Sequence, residues 1–313
     1  MVMKMETFTF RDPQDYEIFV YKWLPENGRQ IKAAVQIAHG MAETAARYER
    51  FAKALTEAGY MVYANDHRGH GRTTKDPAKV GFMGTDGLNW AVKDMQQLHQ
   101  VIQNENPTLP IFLLGHSMGS FLTQQYISLY GAGLQGAILS GTSGKQGFIL
   151  NAGALLAKLV MLLKGAQTPS PFLDQLTFGG YNNHLKPNRT KFDWLSRDEV
   201  EVDRYIADPF CGTVFSAGYF YDLCRFLKQI HRLDTQRQIP VNLPIYLFAG
   251  SMDPVGNLTK TIRQLIRTYQ TLEIHDVNGK FYPDGRHEML NETNRDEVTR
   301  DVIQWLDGHL KTG

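Results

Sequence analysis

Cysteine is nearly absent from this chain. Cys211 and Cys224 are the only two, too few for a disulfide-stapled scaffold, and two free thiols in a reducing cytosol are the reading they favour over a single bridge. Neither sign of charge is in excess: 33 Lys plus Arg stand against 32 Asp plus Glu, a net charge of +1. That balance excludes the basic footprint of a nucleic-acid binder and an acidic disordered tail. Glycine and proline, 28 and 13 of 313 residues, are too scarce for a collagen-like or low-complexity chain. The longest apolar stretch, Phe148 to Leu163, is interrupted by Asn151 and Lys158 and falls short of the ~20 residues that span a bilayer. The first ten residues contain no apolar core and no small-residue cleavage site, so no signal peptide is expected and a cytoplasmic location is.

Short apolar runs are what the sequence does have. Ala33–Ala38, Tyr60–Ala64, Ile111–Leu114, Ala137–Ser140, Ile245–Ala249 and Leu272–Val277 read as strands buried on both faces, because most are continuously apolar rather than alternating. Thr7–Phe10 and Tyr16–Trp23 read as an opening antiparallel pair turning at Asp12-Pro13. Between the runs lie helical periodicities: Tyr48–Gly59, a helix through Leu88, Ala91, Met95, Leu98 and Ile102 with Asp86 as its N-cap, one ended by Gly131, and one through Val298, Val302, Leu306 and Leu310. Strand alternating with helix predicts a mostly parallel, doubly wound α/β sheet flanked by helices. The alternation breaks over residues 141–240, which carry helical and irregular patterns and no convincing strand. These residues are expected to form a helical cap inserted into a core made of residues 1–140 and 241–313.

One motif carries chemistry. Gly115-His-Ser117-Met-Gly119 follows the strand Ile111–Leu114 directly and precedes a helix, the strand–turn–helix setting of a nucleophile elbow. A chain of this composition yields only about 0.07 chance matches to G-x-S-x-G, before that setting is counted. A serine hydroxyl is a weak nucleophile and needs a base, which a third group must orient. Of ten histidines, His287 lies in a loop between the last strand and the last helix, whereas His275 falls in a strand and His309 in the terminal helix. Asp253 sits just beyond the strand Ile245–Ala249, where the acid of such a triad belongs; Asp276 is nearer His287 in sequence but reads as part of a strand. An oxyanion hole needs the N–H after the nucleophile, that of Met118, and an N–H from the loop after an early strand, assigned to Met41.

Together, His39-Gly-Met-Ala-Glu43, Arg47-Tyr48, Asp66-His-Arg-Gly-His-Gly71, Gly115-His-Ser-Met-Gly119, Ser251-Met-Asp253 and Gly285-Arg-His287-Glu288 resemble the monoacylglycerol lipase and lysophospholipase group of α/β-hydrolases. The resemblance spans nearly the whole chain outside the cap. It implies the α/β-hydrolase fold, a triad at Ser117, Asp253 and His287, and oxyanion donors on the backbone of Met41 and Met118. One departure is Ala42, where the family often has Gly. The implied activity is cleavage of the carboxylic ester of a monoacyl lipid (monoacylglycerol or lysophospholipid), or of a related small ester, through an acyl-enzyme and with no metal or organic cofactor. An aminopeptidase or acyltransferase on the same fold is the alternative within enzymes, the acidic residues Asp198, Glu199, Glu201 and Asp203 keeping the peptidase open. A hydrolase-shaped small-molecule receptor is the alternative from another class.

Two further features divide between a structural and a functional reading. Asp66, His67 and His70 have zinc-like spacing, yet a hydrogen-bonded loop shaping the sheet top is expected, with no metal. The segment 154–163 is expected to be a cap helix with its apolar face on the body of the protein. Its Leu155, Leu159 and Leu162 are candidates for contacting an acyl chain or, transiently, a membrane surface.

Overall fold

The computed structural model describes residues 3–26 and 30–310, so the outermost ends of the expected core, residues 1–2 and 311–313, lie outside the described residues. Among the described residues eight strands form one sheet: β1 (Lys4–Arg11), β2 (Glu17–Leu24), β3 (Ala33–Ala38), β4 (Tyr60–Asn65), β5 (Ile111–His116), β6 (Gly136–Ser140), β7 (Ile245–Gly250) and β8 (Val277–Tyr282). Their spatial order is β1-β2-β4-β3-β5-β6-β7-β8, with β1, β2 and β4 joined antiparallel and every other pair parallel. This is the doubly wound sheet that the alternation of elements predicts and the α/β-hydrolase fold that the resemblance implies. The helices are α1 (Glu49–Glu57), α2 (Gly87–Glu105), α3 (Met118–Tyr130), α4 (Ile149–Lys164), α5 (Pro171–Phe178), α6 (Glu199–Ala207), α7 (Ala217–Ile230), α8 (Leu233–Gln236), α9 (Lys260–Thr271) and α10 (Arg295–Gly308).

Every residue of β3 to β7 is buried, which is why these strands read as continuous apolar runs. Gln36 is the polar exception within β3, and its Nε2 donates to the Met95 carbonyl at 2.9 Å, so the buried amide nitrogen is partnered. At the far edge the expectation fails. Leu272–Val277 is not a strand: α9 runs to Thr271, Glu273 takes a left-handed conformation, and the strand begins at Val277. Ile274 is buried from within this turn, so its apolar character came from packing and not from a strand. His275 and Asp276 therefore precede β8, and His309 immediately follows α10 rather than lying inside it. Asp86 does occupy the N-cap position of α2, but at φ 56° its carboxylate misses the helix amides and instead accepts from Asn89 Nδ2 at 2.7 Å.

Residues 141–244 connect β6 to β7 and contain α4 to α8 and no strand. One isolated bridge, Pro169 to Ser216, ties two stretches of this insertion together, and the Ser216 N–H donates to the Gly81 carbonyl of the core. α4 packs along α7, burying Leu150 and Ala157. Among the described residues no helix is long and apolar enough to cross a membrane.

Candidate active site

The turn between β5 and α3 sets Ser117 at φ 52° and ψ −119°, a conformation that costs a non-glycine residue on the order of 1–3 kcal/mol. Its neighbours explain both glycines. A Cβ on Gly115 would stand 2.3 Å from the Gly119 carbonyl oxygen and Thr123 Oγ1, and one on Gly119 would stand 2.0 Å from the Ala38 carbonyl oxygen. The strained residue is tied down by its own N–H, which donates to the Ser140 carbonyl at 2.9 Å, and by Ser120, whose hydroxyl donates to the Ser117 carbonyl at 2.6 Å.

His287 and Asp253 arrive from the C-terminal ends of β8 and β7. His287 Nδ1 lies 3.0 Å from Asp253 Oδ1, and the two residues are only 2% and 0% exposed. The Val255 N–H, at 2.9 Å, fixes the same carboxylate oxygen. Burial disfavours the imidazolium form of His287, but the Asp253 carboxylate and its hydrogen bond, helped by Glu288 and Glu43, outweigh it and raise the pKa above the usual 6.5. His116 lies against the same ring, 4.7 Å between centroids, with its Nδ1 3.2 Å from Ser140 Oγ. Burial, and then the neighbouring His287, push its pKa down to about 4, so a second positive charge does not develop there near neutrality. Asp276 is elsewhere: it pairs with His309 Nε2 at 2.8 Å, at the opposite end of the sheet from Asp253.

The loop after β3 closes over the elbow. A Cβ on Gly40 would stand 3.2 Å from Ser117 Cβ and 2.7 Å from Glu43 Oε1, so a side chain here would push the Glu43 carboxylate aside. Ala42, the departure from the family pattern, has φ 55°, which is where glycine is at ease and alanine is not. Met41 and Ser117 line one cavity, and Met118 opens α3, where helix geometry leaves its N–H without an intrahelical acceptor.

A buried network lies beneath this loop, built on Glu43, Arg47, Tyr48 and Glu288. Glu43 accepts from the Gly40 N–H at 2.5 Å and from the Tyr48 hydroxyl at 3.0 Å. Arg47 reaches Glu43 at 2.7 Å and grips both oxygens of Glu288, next to His287, at 2.6 Å each. Burial alone would raise the Glu288 pKa, but Arg47 holds it down to about 2. The same ions therefore join the loop of Met41 to the loop of His287. Their sequence signal was an Arg and two Glu within otherwise apolar or motif-bearing stretches.

A cavity of about 350 Å³ opens over Ser117 and His287, walled by Met41 and Val255 from the sheet side and by Phe178 and Trp194 from the insertion. The structure does not bring Leu155, Leu159 or Leu162 to it. They are 62%, 49% and 69% exposed on the outer side of α4, because Leu150 and Ala157 already occupy the inner side against α7. Of the acidic residues of the insertion, Asp174 lines the cavity, whereas Asp198, Glu199, Glu201 and Asp203 do not. Asp203 and Glu199 pair with Arg189, and Asp198 and Glu201 with Arg295. Asp66 accepts from the Ala45 and Arg72 N–H groups at 2.8 and 2.7 Å, and His39 Nε2 accepts from the His67 N–H at 2.9 Å, the hydrogen-bonded loop expected there. Cys211 is buried and Cys224 half-buried, each unpaired.

A family model described as serine aminopeptidase, S33, matches residues 29–294. The chain is 29% identical to a monoacylglycerol lipase of Mycolicibacterium smegmatis over 92% of both chains. It is 26% identical to the monoglyceride lipase of Mus musculus, over 88% of this chain and 85% of that one. Among solved structures it resembles a highly thermostable carboxyl esterase from Bacillus coagulans in complex with glycerol, with a TM-score of 0.90 and 29% identity over 99% of this chain and 100% of the other.

Proposed function

We propose that this chain, which belongs to the serine aminopeptidase S33 family and is a monoacylglycerol lipase-like α/β-hydrolase, hydrolyses the carboxylic ester of a monoacyl lipid or a related small ester. One observation carries the reading: a buried His287–Asp253 pair at 3.0 Å shares a cavity mouth with a serine held in a strained elbow. Ser117 Oγ attacks the acyl carbonyl while His287 Nε2 takes its proton. Asp253 keeps the proton on Nδ1 and stabilises the imidazolium that forms. The N–H groups of Met41 and Met118 receive the oxyanion. His287 then protonates the departing alcohol. Water, deprotonated by the same nitrogen, attacks the acyl-enzyme and releases the acid.

Residues 141–240 act as a cap over this centre, supported by Phe178 and Trp194 in the cavity wall. The outward apolar residues of α4, with Phe148 and Ile149 before them, favour brief contact with the lipid surface that presents the substrate. The unpaired thiols of Cys211 and Cys224 accord with a reducing cytosol. The four acids on which the peptidase alternative rested, Asp198, Glu199, Glu201 and Asp203, are paired with arginines away from the cavity and no longer support it.

The test is covalent labelling of Ser117 by a fluorophosphonate, read by intact mass, alongside turnover of monoacylglycerols, lysophospholipids, p-nitrophenyl esters and aminoacyl amides. Labelling and ester turnover are expected in the wild type; in Ser117→Ala labelling is absent and turnover falls by several orders of magnitude, to the roughly 10³–10⁴-fold advantage over water that binding and the oxyanion hole give. Turnover near wild type in a folded Ser117→Ala, or preference for the amides, sinks the reading.

A further inference from the structure

The loop bearing His287 follows β8, an edge strand with one neighbour, so the sheet supports it from one side only. The other side is supplied by the insertion. The His287 N–H donates to the Trp194 carbonyl at 3.2 Å, and the Glu288 N–H to the Leu195 carbonyl at 2.7 Å. Arg286 Nη1 donates to the carbonyls of Asp193 and Ser196 at 2.6 and 2.9 Å. The Ser196 hydroxyl donates to the Asn291 carbonyl at 2.9 Å. Buried Glu292 accepts from the backbone and side chain of Arg197 at 3.0 and 2.8 Å, and from the Arg286 N–H at 2.9 Å. Arg295 closes the run on Asp198 at 2.5 Å. The Trp194 ring also lies against the His287 imidazole, 5.0 Å between centroids.

We infer that residues 193–198 are a clamp that positions His287, and that the insertion is therefore two devices in one connection. The clamp belongs mechanically to the catalytic sheet, while α4 and α5 arch outside it. Five consecutive residues, 193–197, bond to the loop of the base and the sixth, Asp198, to the first residue of α10 behind it, so the loop cannot shift without breaking several bonds at once. The same fixed part reaches the other side of the centre, where the Gly212 N–H donates to the Ala42 carbonyl at 3.0 Å and Tyr205 stacks under Arg47 at 4.9 Å. Proton transfer depends steeply on such placement: an error of about 1 Å in a reacting group lowers a rate by roughly 10²-fold. Arg286 and Glu292 are thus positioning residues acting through His287. The inference rests on the serine-hydrolase mechanism proposed above.

Arg286→Gln tests it, because Arg286 touches neither Ser117 nor the cavity. On a soluble butyrate ester, kcat is expected to fall roughly 10- to 100-fold with KM within about twofold, and the rate of fluorophosphonate labelling of Ser117 to fall by the same factor. Arg286→Lys, which keeps the charge and a donor, recovers most of the loss. Glu292→Gln replaces it as the test should Arg286→Gln fail to fold. Arg189→Gln, which breaks an exposed pair elsewhere in the insertion, leaves kcat unchanged. Folded Arg286→Gln or Glu292→Gln enzyme with a lowered melting temperature but wild-type kcat and labelling rate overturns the clamp. Ser117→Ala separates the two claims. Activity there removes the serine mechanism itself, whereas an inactive Ser117→Ala beside a fully active Arg286→Gln removes only the clamp.

Discussion

Two carboxylates near His287 in sequence are far apart in space, and this makes a sharp comparison. Asp253→Asn is expected to lower kcat by about 10⁴, since the amide neither fixes the reactive tautomer nor stabilises the imidazolium. Asp276→Asn, whose partner is His309, is expected to stay within about twofold. Steady-state kinetics on one soluble ester decide it, and the reverse ranking would place the acid elsewhere. The raised pKa of His287 adds a second expectation. Only the neutral imidazole is a base, so kcat/KM falls as pH drops through a value above the usual 6.5. A profile flat from pH 8 down to 6, with chemistry limiting, contradicts it.

At the scale of elements, α4 shows what an apolar run can and cannot tell. Its sequence announces a helix with leucines to spare but not which side meets the protein. The inner side holds Leu150 and Ala157, and Leu155, Leu159 and Leu162 face out. Replacing those three by serine is expected to leave kcat/KM on butyrate esters unchanged. Binding to vesicles containing monoacylglycerol should weaken, each lost leucine contributing up to ~1.5–3 kcal/mol if it is fully buried in lipid. Co-sedimentation and kinetics on the same variants check this, and a loss on soluble esters would return the leucines to the active site. Strands β3 to β7 were legible because burial on both faces writes itself into the side chains. The edge strand β8, with Asn278, Gly279 and Lys280 exposed or half-exposed, left no such mark. The elbow was legible because its sterics demand glycine at Gly115 and Gly119. The bonds around His287 were not, because the carbonyls of Trp194, Leu195 and Ser196 act whatever side chains they carry.

Across the whole molecule, buried histidines tie stability to pH. Burial holds His39, His116 and His231 down to about 4 and His70 to about 3. Between 6.5 and those values the unfolded chain binds more protons than the folded one. Stability is therefore fully present above about 6.5 and declines as pH falls toward 4, by at most ~1.4 kcal/mol per histidine per pH unit. Asp66 and Asp94, raised by burial to about 6, take up protons in the folded state on the same descent and offset part of the loss. Urea midpoints at pH 7.5 and 5 are expected to differ, the lower at pH 5; equal midpoints would contradict the buried neutral state of the histidines.

The connection from β6 to β7 also bears on how such a molecule can change over generations. Closing a loop grows dearer only with the logarithm of its length, about 0.6 kcal/mol for each doubling. Stretching a crossover of a dozen residues to the roughly hundred found here therefore burdens the pairing of β6 with β7 by only about 2 kcal/mol. The sheet is nearly indifferent to how much chain it carries at that point. Descendants are free to rebuild the arch of α4 and α5 wholesale, whereas the short run that grips the base has to keep its length and backbone path, though not the side chains at Trp194 and Leu195.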